Sequence, residues 1–145
     1  MRIEQLKKEY IPALSEMEEL CFGALAWTQS AFESELNKDD SLFLCAVEGD
    51  CILGSAALNN AAGQGFISKV MVAPNVRRRG IAKALMEQMS RLAKEKGMYE
   101  LTLEVRASNI AAIALYDGLG FENLGTRRNF YRCPKEDAVI MTKQL

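Results

Sequence analysis

The sequence predicts an α/β fold in which a mixed central β-sheet is flanked by helices on both faces. Three observations lead there. Two apolar runs, LFLCAV and CILGSAAL, are separated only by the turn Glu48-Gly49-Asp50, which is the pattern of a hairpin. FISKVMV, a periodic helical segment and LTLEVR then follow as strand, helix and strand, a crossover that demands a parallel pair. FENLGTRRNFY and DAVIMTKQL close the chain as two further strands, so parallel and antiparallel neighbours share one sheet.

Taken in order, the first helix is expected where Ile11, Leu14, Met17 and Cys21 fall near one face, with Pro12 suited to its first turn. A short second helix begins near Thr28 or Ser30. Ser30 and Glu33 have capping-box spacing, and Phe32 and Leu36 form an i, i+4 apolar pair. The intervening GALAWTQ is a loop that carries the only tryptophan. After the hairpin, a Gly/Asn/Ala loop leads into FISKVMV, which Ala73-Pro74-Asn75 terminates. The third helix is strongly periodic through Ile81, Leu85, Met89 and Leu92, with Gly97 at its C-terminal cap. LTLEVR follows at once, and Ser108 or Asn109 opens a fourth, Ala-rich helix that stops at Gly120.

At 145 residues the chain suits one domain, 1–145, with a single core. No apolar run approaches the roughly 20 residues of a membrane span, and MRIEQLKKEY does not read as a secretory signal, so a cytoplasmic location with no membrane partner is expected. The absence of histidine excludes Ser-His-Asp triads, Cys-His dyads and histidine metal sites together. Cys21, Cys45, Cys51 and Cys133 match no zinc-ligand spacing and read as reduced thiols, so no metal is expected. Acid-base chemistry is left to Glu, Asp, Tyr, Cys or Lys. Cys133 carries no mark of activation, which argues against a covalent intermediate.

The net charge of -1 conceals an asymmetry: residues 1–60 carry -7 and residues 61–145 carry +6. Such a split suits an anion held by the second half and a cation approaching the first, with scatter over solvated faces as the alternative. The positive half concentrates at Arg77-Arg78-Arg79-Gly80-Ile81-Ala82, between a strand and a helix start. Cations at a helix N-terminus oppose its dipole unless an anion is bound, while the free amides and a glycine there favour phosphate. Neither GxxxxGK[ST] nor GxGxxG is present, so the ligand is of another kind, with a pyrophosphate fitting best. A solvated basic patch and a nucleic-acid patch are the competing uses. The chain has no nucleic-acid motif and a pI near 5.6, so stable nucleic-acid binding is not expected.

The run from Val70 to Ala84 resembles the acetyl-CoA-binding segment of the GNAT superfamily of N-acetyltransferases, whose pattern [Q/R]-x-x-G-x-[G/A] is matched by Arg77, Gly80 and Ala82. LEVRASN, AIALYDGLGF and RRNFYRCPKEDAVIM are similar to the corresponding segments of the ribosomal-protein-alanine N-acetyltransferases (RimI type) within that superfamily. Upstream, Trp27-Thr28 stands where that group has Pro-Trp-Ser; Ala26 replaces the proline, and Phe130 replaces a tyrosine.

The resemblance implies a GNAT-like mixed sheet and acetyl-CoA as co-substrate. Val70, Met71 and Val72 would line the cofactor with strand backbone, Arg77, Arg78, Arg79, Gly80, Ile81, Ala82 and Lys83 would wrap its pyrophosphate, and Asn109 would touch the pantetheine arm. Glu104 would be the general base and Tyr116 the general acid, with Trp27 and Tyr131 contacting the acceptor. The implied reaction acetylates the N-terminal alanine of small-subunit ribosomal protein eighteen by direct transfer in a ternary complex, so the partner is a basic ribosomal N-terminal segment. Other protein N-termini, lysine side chains and small amines are the alternative acceptors.

The residues themselves support part of this. Leu101, Leu103 and Val105 share one face of LTLEVR, and Thr102, Glu104 and Arg106 the other. A strand covered on both faces places a mid-strand carboxylate in a cleft or a buried ion pair. With a pKa of about 8, roughly a tenth of an α-amine is neutral at pH 7, against about one part in 2,500 for lysine at 10.4, so an α-amine asks less of a base. A glutamate of ordinary pKa would act through water or with its pKa raised. A core role is the alternative for Tyr116. The oxyanion would be met by backbone N–H near Val72.

Overall fold

The computed structural model describes all residues, Met1–Leu145. Seven strands form one sheet in the order β1-β2-β3-β4-β5-β7-β6. They are β1 (Arg2–Gln5), β2 (Ser41–Glu48), β3 (Cys51–Ala61), β4 (Gln64–Val72), β5 (Glu100–Arg106), β6 (Glu122–Arg132) and β7 (Lys135–Gln144). Only β4 and β5 are parallel; every other neighbouring pair is antiparallel. The helices are α1 (Ile11–Phe22), α2 (Gln29–Glu35), α3 (Ile81–Glu95) and α4 (Ile110–Gly118), and none is long and apolar enough to cross a membrane.

The strand β2 reads as an unbroken apolar run because it is buried on both faces. Leu42, Leu44 and Ala46 join the core beneath α3 and α4, while Phe43, Cys45 and Val47 join a second core beneath α1 and α2. The periodic positions Ile81, Leu85 and Met89 of α3 are all buried, each contributing roughly 1.5–3 kcal/mol of gross burial energy. Ile11, Leu14 and Met17 do the same for α1, and Phe32 anchors α2. Helices thus cover both faces, as expected.

Two local expectations change and two are sharpened. β1, unsuspected in the mixed-charge MRIEQ segment, pairs along β2 with Ile3 opposite Ala46. Thr28, not Ser30, caps α2: its Oγ1 accepts the Ala31 N–H at 3.1 Å. The stretch taken for a Gly/Asn/Ala loop is the continuation of a hairpin, turning tightly at Ala62 and Gly63 with φ of 52° and 89°. Asn60 Oδ1 accepts the Gly63 N–H at 2.9 Å and stabilises that turn, a side-chain bond that apolar patterning does not register. Finally, β6 is a strand with two register shifts, at Asn123/Gly125 and Arg127/Tyr131, and the first, by inserting one residue, puts Arg127 on the face of the sheet that carries Glu104.

Candidate active site

The site begins where the sheet comes apart. The parallel pairing covers only Gln64–Phe66 against Glu100–Thr102, after which β4 and β5 diverge. Gly65 permits the close approach at the base, since a Cβ there would lie 2.6 Å from Leu101 Cδ2. Beyond Phe66 the β5-facing edge of β4 has no strand partner, and two adjoining cavities fill the wedge.

The larger cavity, about 510 Å³, runs from the start of α3 to α4. Val70, Met71, Val72, Arg77, Arg78, Gly80, Ile81, Ala82, Lys83 and Asn109 all line it. Arg79 does not. Helix α3 has no side-chain N-cap, and Gly80 precedes it in the left-handed region at φ 78° with open space where a Cβ would project. Its first-turn amides are therefore available to an anion among Arg78 and Lys83. Arg77 is bent back instead, its Nε donating to the Val72 carbonyl at 3.3 Å. Asn109 Oδ1 accepts the Ala112 N–H at 3.2 Å and so caps α4, leaving its amide N–H groups free to meet a ligand.

The smaller cavity, about 290 Å³, lies between the diverging strands and holds Glu104, Arg106, Tyr131 and Lys69 on its walls. The two cavities share Phe22, Val70, Asn109, Ala112 and Tyr116. Tyr116 is 7% exposed and packs its ring against Phe121 at 5.7 Å. Burial, with a lesser contribution from Tyr131, pushes its phenol up to about 12, so it stays protonated at neutral pH.

Glu104 alternates outward from the buried Leu103 and Val105, as the strand period requires. Its Oε1 accepts from Arg127 at 2.9 Å, with side-chain exposures of 30% for Glu104 and 55% for Arg127. Arg106 stacks on the Tyr131 ring at 4.2 Å and donates to Glu136 and the Pro134 carbonyl, which ties the β6–β7 turn to β5. Burial first, then the Glu104 charge, raises the Tyr131 phenol.

Trp27 lies behind this wall. It packs on Phe32 at 5.3 Å and presents its ring to the Lys69 ammonium at 4.7 Å. Lys69 pairs with Glu18 of α1 inside the protein. Neither residue emerges from a search for periodic apolar faces, although both were visible: Lys69 interrupts FISKVMV, and Glu18 falls four residues after Leu14 on the buried stripe. Arg127 escaped notice because the bulge that aims it follows from pairing, not from composition.

Known proteins share the sequence and the fold. A ribosomal protein bS18-alanine N-acetyltransferase of Escherichia coli K12 is 33% identical over 141 residues, spanning 96% of this chain and 94% of that protein. The crystal structure of the Escherichia coli ribosomal-protein-S18-alanine N-acetyltransferase superposes with a TM-score of 0.87 at 31% identity, covering 99% of this chain and 92% of that one. The PaiA N-acetyltransferase of Thermoplasma acidophilum, solved in complex with coenzyme A, shares the fold at 20% identity, with a TM-score of 0.82 and full coverage of both chains. The sequence model of the acetyltransferase (GNAT) family matches residues 4–121, a span that takes in the α3 anion end, Glu104 and Tyr116, and the chain therefore belongs to the GNAT family of acetyltransferases.

Proposed function

We propose that the protein transfers the acetyl group of acetyl-CoA to the N-terminal alanine of ribosomal protein bS18, by direct transfer in a ternary complex. The observation that carries this reading is the meeting of the two cavities at Tyr116 and Val70, with the anion-binding end of α3 on one side and Glu104 on the other. The near full-length similarity to the bS18-alanine enzyme of Escherichia coli supports the choice of acceptor.

The larger cavity suits acetyl-CoA, which supplies an activated acetyl thioester when bound. Arg78, Lys83 and the uncapped amides of α3 would hold its pyrophosphate, and Val70–Val72 would meet the pantetheine arm along an edge that has no strand partner on the β5 side. In the smaller cavity Glu104 takes the proton of the acceptor amine, directly or through water. The free edge of β4 offers N–H donors to the developing oxyanion. Tyr116, a phenol that is protonated at neutral pH, donates to the departing sulfur. A thiol of pKa about 8.5 leaves readily, so this last contribution is modest.

Two synthetic peptides test the reading. One begins Ala-Arg with a free α-amine and no lysine, and the other is blocked at its N-terminus and carries one lysine. Mass spectrometry after incubation with acetyl-CoA should find acetyl on the first. Transfer confined to lysine would refute the assignment of acceptor, and a stable acetyl-protein formed without acceptor would refute direct transfer.

A further inference from the structure

Lys69 is a charge in an apolar strand that the mechanism above leaves unused. A bulge between Ala57 and Leu58 of β3 leaves Ser68 as the extra residue of β4, so Lys69 faces Ala57 in register. The Lys69 ammonium donates to Glu18 Oε1, which also accepts the Trp27 N–H at 3.3 Å, whereas Glu18 Oε2 has no partner. The Phe22 and Trp27 rings flank the ammonium at 4.5 and 4.7 Å. The Glu18 side chain is 0% exposed and that of Lys69 8%.

Such a pair is an uneconomical way to hold a core together, because apolar residues of the same volume do as well or better. Its orientation gives it another use. Glu18 occupies the closed end, while Lys69 reaches the wall of the cavity that also carries Glu104 and Tyr131. An ammonium has three N–H donors, and Glu18 is the hydrogen-bond acceptor the protein provides for it. The donors that Glu18 leaves unmatched are therefore available at the acceptor cavity, which Lys69 lines between the two rings.

We infer that Lys69 is a specificity-determining residue that donates to the first carbonyl oxygen of the acceptor peptide while Glu104 takes its amine, so that the site selects peptide α-amines over lysine side chains. The inference rests on the function proposed above. In an N-terminal residue the carbonyl carbon is bonded directly to the Cα that bears the amine. A lysine ε-amine is flanked only by methylenes and leaves the donor unanswered. A site built to hydrogen-bond one group rejects the analogue lacking it, since its own polar group is then buried and unpaired.

The discriminating experiment measures kcat/KM on the two peptides described above for the wild type and for Glu18→Gln/Lys69→Met, which removes both charges at nearly constant volume. Loss of a charge-assisted hydrogen bond predicts a fall of roughly tenfold or more on the α-amine peptide and less than about twofold on the lysine peptide. The fluorescence of Trp27, the only tryptophan, reports peptide binding independently of turnover, and the α-amine peptide should bind the variant roughly tenfold more weakly. Lys69→Gln, which keeps a donor for Glu18, is judged by the same ratio should the double variant fail to fold. Equal losses on both peptides, or no loss on either, would overturn the inference and leave the acetyltransferase reading standing; transfer by the wild type to neither peptide would remove both.

Discussion

Replacing Lys69 with methionine strands a carboxylate in the protein interior. Glu18 is fully buried, one of its oxygens already lacks a partner, and after the change the other keeps only the Trp27 N–H at 3.3 Å. With exposures of 0% and 8% there is little solvent screening to discount. Removing one member of a buried pair typically costs about 3–5 kcal/mol. For 145 residues the unfolding entropy is about 0.3 kcal/mol/K, so the melting temperature of Lys69→Met should fall by roughly 10–16 °C. Glu18→Gln/Lys69→Met removes both charges and should remain within about 2 kcal/mol of the wild type; with Glu18→Gln alone also costing about 3 kcal/mol or more, the double-mutant cycle should give a coupling energy of at least about 4 kcal/mol. Differential scanning calorimetry at neutral pH measures all of these, and added salt should change the coupling little because the pair is buried. A double variant as unstable as Lys69→Met would refute the reasoning, since the loss would then lie in packing and not in an orphaned charge.

Other outcomes follow from the same geometry. Glu104→Gln should lower kcat by about 10²–10⁴ while leaving acetyl-CoA affinity, measured by calorimetry, unchanged; wild-type rates would remove Glu104 from the mechanism. Tyr116→Phe should slow turnover by roughly tenfold without abolishing it, because a thiolate of pKa near 8.5 needs little help to leave. Tyr116 also carries a stability signature: its pKa is raised from 10.0 to about 12 by burial, so its contribution is complete below about pH 10 and is lost as pH rises through 12, at most about 2.7 kcal/mol. Denaturant melts across that range should show less of this loss in Tyr116→Phe. Arg78→Gln/Lys83→Gln should raise the KM for acetyl-CoA by roughly tenfold and make it less sensitive to salt, with the acceptor KM unchanged in steady-state assays. Burial pushes the Cys45 thiol up to about 12, so at pH 8 a maleimide should label the exposed Cys51 and Cys133 first and Cys45 only on unfolding.

The parts of the fold legible in the sequence are those set by periodicity. The α3 stripe and the doubly buried β2 both follow from where apolar residues recur, and so does the outward turn of Glu104 in β5. The parts that were not legible depend on partners. Strand β1 has no apolar run of its own and owes its conformation to the β2 edge. Ala62 adopts a left-handed turn because strands on either side fix it there. Arg127 reaches Glu104 only through the irregular pairing of β6 with β7. The anion end of the site was readable because charge, glycine and helix start are adjacent in sequence. The acceptor end was only partly so, because it combines residues of α1, β4, β5 and β6 that no spacing connects.

The wedge itself shows why. A regular sheet would pair β4 with β5 along their whole length and leave no room for two substrates. Here Gly65 allows tight pairing at the base, and within a few residues the bulge at Ser68 breaks the strand's regular alternation. The strands diverge, and three consequences follow from that one irregularity. Space opens between β4 and β5, the β5-facing edge of β4 is freed to meet a ligand with main-chain groups, and Lys69 takes its place beside Glu18. Strand β4 tolerates the loss because its other edge stays paired with β3 from Gly54 to Ala61. Missing hydrogen bonds in the middle of a sheet are thus the source of both the cavity and its donors, and the residue at which the strand turns irregular, a bulged serine, carries no chemistry of its own.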